Sequence, residues 1–205
     1  MGFWDRHVVP RLIGCACSQK PIMKRRAKVV PLAEGKVLEL GAGGGINFQL
    51  YDPARVSTVQ GVDPSPGLLK RAREAAHAEG IEFDIAEGVA ENLPFDDDSF
   101  DTVLATFTLC SVQDQMQSLA EARRVLRPGG KMLFLEHGAA PDAKAAKWQR
   151  RIEPVWKPIA GGCHLTRPIT SAIAQAGFRI VAQDQGYMPK TPRAFGWTEW
   201  GEATK

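Results

Sequence analysis

The chain is predicted to be an α/β domain, a mostly parallel seven-stranded sheet with helices on both faces and an antiparallel last strand. Three observations lead there. From Lys36 onward short apolar strand-like runs alternate with helix-like runs, the pattern of parallel βαβ units. A cluster of glycines follows the first of these strands directly, and no helix separates the last two strands, so that pair is antiparallel.

The first five strands are Lys36–Leu40, Thr58–Val62, Glu82–Ala86, Asp101–Phe107 and Lys131–Glu136, each short, apolar and followed by a turn or a helix start. Pro66–Glu79 places Leu68, Ala72, Ala75 and Ala76 on one helical face and stops at Gly80. Gln113–Leu126 turns Leu119, Ala122 and Leu126 inward, and Pro128-Gly129-Gly130 ends it. A further helix carries Trp148, Ile152 and Trp156. After the loop GGCHLTRP the next helix starts near Thr166, with Pro168 in its first turn, and stops at Gly177. Phe178–Gln183 and about Trp197–Thr204 complete the strands.

With 205 residues, 44% apolar and 24% charged, the chain has enough apolar material for one globular core. It lacks an apolar run of about 18 residues and a signal-like N-terminus, so a cytoplasmic location is expected. Four cysteines, Cys15, Cys17, Cys110 and Cys163, are too few for a disulfide framework and read as reduced thiols. The net charge of +3 is unevenly spread: residues 1–30 hold seven basic residues against Asp5, a net +6, and residues 31–205 carry −3. The expected organisation is a basic arm or lid, 1–30, on a ligand-binding domain, 31–205.

In LELGAGGGINF, Gly41, Gly43 and Gly45 follow a G-x-G-x-G pattern, a tight turn that lets backbone N–H groups approach a ligand. A dinucleotide site calls for glycine where Ile46 stands, and Glu39 at the strand end repels a pyrophosphate but attracts an ammonium or sulfonium group. No Lys-Ser/Thr pair follows, which excludes a phosphate-cradling nucleotide loop. Asp63 ends the second strand 22 residues after Gly41, where an acidic side chain accepts both hydroxyls of a ribose.

The combination E-x-G-x-G-x-G, Asp63 and the polar segment AENLPFDDDSFD resembles the class I S-adenosylmethionine-dependent methyltransferases, whose fold is Rossmann-like. RVLRPGGKMLFLEH (Arg124–His137) is typical of the small-molecule and ubiquinone-pathway branch. ATFTLCSV (Ala105–Val112), Glu136-His137 with Ala139-Ala140, and GCHLTR (Gly162–Arg167) resemble the methyltransferase-like 7 group of alkyl thiol methyltransferases and its bacterial relatives, some labelled phosphatidylethanolamine N-methyltransferases.

The resemblance implies S-adenosylmethionine as cofactor, leaving as S-adenosylhomocysteine. Glu39, Gly41, Ala42 and Gly43 would surround its methionine part, Asp63 would hold the ribose with Pro64 and Ser65 beside it, and Val89, Ala90 and Glu91 would flank adenine. Many relatives carry Asp where Val89 stands, so backbone groups become the adenine readers here. Thr106 and Phe107 would line the methyl-transfer side.

A sulfonium methyl is already activated, so catalysis is chiefly alignment and exclusion of water, and no metal is required. A thiol acceptor must ionise, and its ordinary pKa near 8.5 leaves a minority of thiolate at neutral pH. His137, after the fifth strand, either takes that proton or caps the strand end. His164 lies in a glycine-flanked loop able to fold over the site, and Arg167 either pairs with an anionic group or faces solvent. Cys110 is expected to pack at the strand end beside the acceptor rather than act as a nucleophile. Cys15, Cys17, Cys163 and His164 fit no common zinc spacing, so no metal site is expected. Trp4 and His7 in the arm are acceptor-side candidates.

The expected reaction is direct in-line methyl transfer to a small molecule, most simply a thiol. Phospholipid N-methylation at a membrane surface is the alternative, with apolar arm residues inserted and Arg11 and Lys24–Lys28 on anionic head groups at the inner face. A non-catalytic cofactor-binding protein is a third reading. Nothing resembles a nucleic-acid-reading module.

Overall fold

The computed structural model describes residues 17–205. Helix α1 (Lys20–Val29) leads through a 3-10 turn into strand β1 (Gly35–Leu40). Then come β2 (Val56–Asp63), α2 (Pro66–Ala78), β3 (Phe83–Glu87), β4 (Phe100–Thr106), α3 (Gln115–Val125) and β5 (Leu126–His137). The chain ends with α4 (Ala143–Ile159), α5 (Ile169–Gln175), β6 (Arg179–Tyr187), the single turn α6 (Arg193–Gly196) and β7 (Trp197–Thr204).

The seven strands lie in the order β3-β2-β1-β4-β5-β7-β6. β7 runs antiparallel to both β5 and β6, and the other pairs are parallel. Strand residues alternate between two cores, which is why the strands read as continuous apolar runs. Leu38, Leu40, Val103, Met132 and Phe134 pack against Leu119, Ala122 and Val125 of α3 and Ile169 and Ile173 of α5. Val37, Val59, Leu104, Leu133 and Leu135 pack on the other face against Val29 of α1 and Leu69, Ala72 and Ala76 of α2. Each such buried Leu or Val contributes about 1.5–3 kcal/mol.

Several boundaries move for identifiable reasons. α3 starts at Gln115, not Gln113, because the Asp114 side chain accepts the Gln117 N–H at 3.0 Å and caps it. It ends before Leu126, whose extended backbone opens β5, so the Pro128-Gly129-Gly130 stop lies inside a strand that bulges against β4. α5 begins at Ile169 rather than near Thr166, because Leu165 and Thr166 donate to the Glu153 carboxylate instead of to a helix. After the glycine turn the chain makes only a 3-10 turn, Phe48–Leu50.

The boundary placed at residue 30 falls inside the folded body. α1 buries Arg25 and Arg26, and Arg25 donates to the Gly186 carbonyl at 3.0 Å while its guanidinium lies 4.5 Å from the Trp200 ring. These two cations face protein, so they are withdrawn from any head-group contact. Residues 1–16, with Trp4, His7, Arg11 and Cys15, lie outside the described residues.

Candidate active site

In an open α/β sheet the ligand crevice lies beyond the carboxyl ends of the strands where the order reverses, here between β1 and β4. Gly41, Gly43 and Gly45 turn away from β1 with φ of 63°, 55° and 77°, in the left-handed region that side chains resist. A Cβ on Gly41 would lie 2.4 Å from Thr108 Oγ1, so glycine is needed for β1 and the post-β4 loop to touch. At Gly43 the nearest atom to such a Cβ is 3.8 Å away, so the outer side of the turn is an open cradle.

Asp63 caps this cradle from β2. Its carboxylate accepts the Gly43 N–H at 3.0 Å and the Ser65 N–H at 2.8 Å, tying the turn to the next strand end. Burial pushes its pKa up, with the Ser65 and Gly43 bonds opposing. Pro64 beside it is exposed. Val89 leaves an apolar side chain 46% exposed next to buried Ala90. The Glu91 carboxylate accepts the Gln113 and Asp114 N–H groups, which occupies it just ahead of α3.

Glu39 is fully buried and does not face the cradle alone. Asn47 Nδ2 and Tyr51 Oη donate to its two oxygens at 2.6 and 2.8 Å. Burial raises its pKa to about 7, and the bonds from Tyr51 and Asn47 work against that rise. Arg26 donates to Asn47 Oδ1 at 2.6 Å and to Thr106 Oγ1 at 2.7 Å, so α1, the glycine turn and the end of β4 share one polar network. Ala42 is buried beneath the turn. The sequence reading did not single out Arg26, Asn47 and Tyr51. A polar Asn two residues past the run Gly43–Gly45 was the available signal.

Phe107 follows β4 with φ of 57°, an uncommon conformation for an aromatic residue. The turn it makes sends the N–H groups of Thr108, Leu109 and Cys110 onto the Glu136 carboxylate, at 2.9, 3.0 and 3.1 Å. Burial raises the Glu136 pKa against these three bonds. Glu136 is therefore the anchor of the loop that borders the crevice.

His137 packs edge-on against Phe107, with centroids 4.9 Å apart. Its Nδ1 is 3.5 Å from Cys163 Sγ, which is 3.6 Å from Cys110 Sγ. Contact with Cys110 and the neighbouring His137 draws the Cys163 pKa down, and the same thiol–thiol contact raises that of Cys110. The cysteine cluster that forms thus joins Cys163 to Cys110 and His137 rather than to His164.

His164 is held away from this cluster by its Nδ1 contact with Glu153, at 3.1 Å. Among the described residues Arg167 meets no anion: it donates to the carbonyls of Leu109 and Val112 at 2.6 and 2.8 Å, clamping the same loop from outside.

The methyltransferase-domain family matches residues 38–134. The chain is 44% identical over 154 residues to rat thiol S-methyltransferase TMT1B, covering 72% of this chain and 62% of that protein. It is 38% identical over 191 residues to the human protein of the same name, covering 87% and 77%. It is 37% identical over 162 residues to a phosphatidylethanolamine N-methyltransferase of Cereibacter sphaeroides, covering 78% of each. The match therefore spans less than two thirds of the rat relative. In fold it superposes with TM-score 0.71 and 22% identity on a chain from the complex of the Haloferax volcanii Trm112 methyltransferase activator with a methyltransferase, covering 98% and 95%. On these grounds the chain belongs to the class I S-adenosylmethionine-dependent methyltransferases.

Proposed function

We propose that this enzyme methylates a small thiol by direct in-line transfer. The observation that carries the reading is the position of His137, which ends β5 at the carboxyl edge of the sheet and packs on Phe107, the residue that follows β4. Two relatives named thiol S-methyltransferase support it.

The open cradle at Gly43, the acidic Asp63 beside it and the exposed apolar Val89 fit S-adenosylmethionine in polarity and shape. When bound, that cofactor supplies an electrophilic methyl group on a sulfonium. Asp63 would hold the ribose, the N–H groups of the glycine turn the methionine end, and Val89 and Ala90 the adenine. Thr106 and Phe107 would border the transferred methyl and exclude water. His137 promotes ionisation of the acceptor thiol, which raises the nucleophilic fraction. His164 and Arg167 shape the surrounding loop through Glu153 and the Leu109–Gln113 carbonyls.

Isothermal titration with S-adenosylhomocysteine, followed by mass spectrometry of a panel of alkyl and aryl thiols, tests the reading. Saturable binding and thioether formation are expected. Binding without methylation of any thiol overturns the acceptor, and no binding overturns the cofactor site.

A membrane-facing reading has its own observation. α4 leaves Trp148, Val155 and Ile159 at 49%, 65% and 50% exposure and carries Lys144, Lys147, Arg150 and Arg151. No described helix is long and apolar enough to cross a membrane. We propose peripheral contact of this face with an anionic membrane surface, on the cytoplasmic side. Flotation with anionic vesicles, reduced by Val155→Glu, is the expected result, and indifference to such vesicles overturns it.

A further inference from the structure

The sequence reading expects no metal, yet Cys110, His137 and Cys163 come together from the ends of β4 and β5 and the loop after α4. Their ligand atoms all lie within 4.8 Å of one another. Zinc binds sulfur at about 2.3 Å and imidazole nitrogen at about 2.0–2.1 Å, so tetrahedral angles set two sulfurs roughly 3.8 Å apart and a sulfur and nitrogen roughly 3.6 Å apart. The two distances from Cys163 match, at 3.6 Å to Cys110 and 3.5 Å to His137, and the Cys110–His137 pair lies within 4.8 Å, which a bound ion would draw closer.

The surroundings hold these atoms in place. Gly162, with φ of 87°, lets its loop approach so closely that a Cβ there would stand 2.9 Å from the Ser111 carbonyl, so a side chain at this position would strain the approach that carries Cys163. The His164 N–H donates to the Cys110 carbonyl at 2.7 Å and pins the two loops together. Leu165, Phe107, Ala160 and Trp156 close an apolar shell around the sulfurs. The buried Trp156 indole N–H lies beside Cys163 in this shell, where it can donate to that sulfur.

We propose that Cys110, His137 and Cys163 form a three-ligand site for a thiophilic divalent cation, zinc by its chemistry, whose open fourth position takes the acceptor thiol. Among the described residues no fourth His, Cys, Asp or Glu joins the group, the arrangement of a catalytic rather than a structural zinc site. The inference rests on the thiol reading and gives His137 its means of promoting ionisation. On coordination the thiol proton passes to solvent. The sulfur lone pair then attacks the methyl carbon, the carbon–sulfonium bond breaks, and thioether and S-adenosylhomocysteine leave.

The test uses the full chain, reduced, stripped with a chelator and titrated with zinc and with cobalt(II). About one equivalent should bind, with thiolate-to-cobalt charge-transfer and tetrahedral ligand-field bands. Cys110→Ser and Cys163→Ser should abolish these bands, and His137→Gln should weaken binding at least about tenfold. Cys17→Ser should leave them unchanged, and a simple alkyl thiol, but not the matching alcohol, should shift them. S-adenosylhomocysteine titration of every variant verifies the fold and separates this test from that of the methyltransferase reading. Binding far below one equivalent, binding that survives Cys163→Ser, or a Cys110–Cys163 disulfide in its place overturns the site. Loss of the bands in Cys17→Ser, or indifference to thiol, overturns the open position.

Discussion

Arg26 donates a 2.7 Å hydrogen bond to Thr106 Oγ1, joining α1 to the end of β4 across 80 residues of sequence. Both side chains are buried, so water cannot replace the bond if either partner is removed. The N-terminal helix is thereby part of the crevice wall.

Arg26→Ala leaves Asn47 Oδ1 without its Arg26 donor and takes one of two donors from Thr106 Oγ1, which keeps Asn47 Nδ2 at 3.0 Å. It should lower stability by about 2–3 kcal/mol, the scale for hydrogen bonds to a charged group, as read from urea unfolding. Unchanged unfolding midpoints would show that the network contributes nothing to the fold.

Gly41→Ala places a Cβ against Thr108 and forces a side chain into the left-handed region, at an expected cost of about 2–4 kcal/mol. In a Thr108→Ala background the overlaps with Oγ1 and Cγ2 vanish, so the same substitution should cost about 1 kcal/mol less. Equal costs in both backgrounds would attribute the whole effect to φ.

Asp63→Ala should weaken S-adenosylhomocysteine binding by about 1.5–3 kcal/mol by calorimetry. Part of that loss is release of the Gly43 and Ser65 N–H groups, which Asp63→Asn retains in part. Wild-type affinity in Asp63→Ala would place the ribose elsewhere.

Glu39 binds its proton more tightly in the folded protein, at about 7, than in the unfolded chain. Its contribution is therefore most favourable below the ordinary carboxylate range, and stability falls as pH rises from about 4.5 to about 7 and levels off above. Glu39→Gln should remove on the order of 2–3 kcal/mol of that pH dependence. Buried Asp63 and Glu136, shifted in the same direction, leave a smaller slope behind. Parallel unfolding curves for wild type and variant between pH 4.5 and 7 would contradict this.

The strands and the glycine turn were legible because their signals are local. Val37 and Leu38, or Leu133 and Phe134, alternate between two buried faces, and Gly41, Gly43 and Gly45 mark a turn by their spacing alone. Boundaries were less legible where a side chain from elsewhere competes for the backbone. Glu153 takes the N–H groups of Leu165 and Thr166, and α5 starts three residues later than its sequence suggests. The resemblance in GCHLTR drew attention to Arg167 as a ligand-side group, but its role is set by the Leu109 and Val112 carbonyls 58 and 55 residues away.

Apolar periodicity and glycine placement in the chain carried the α/β fold, the crevice and the Asp63 position, because each depends on neighbours a few residues apart. The partners of Cys163 were decided only by packing. His137 and Cys110 are 26 and 53 residues distant, and what brings their atoms within 4 Å is the Glu136 anchor, the Gly162 approach and the Arg167 clamp. No spacing rule along the chain encodes contacts made by three loops closing on one another.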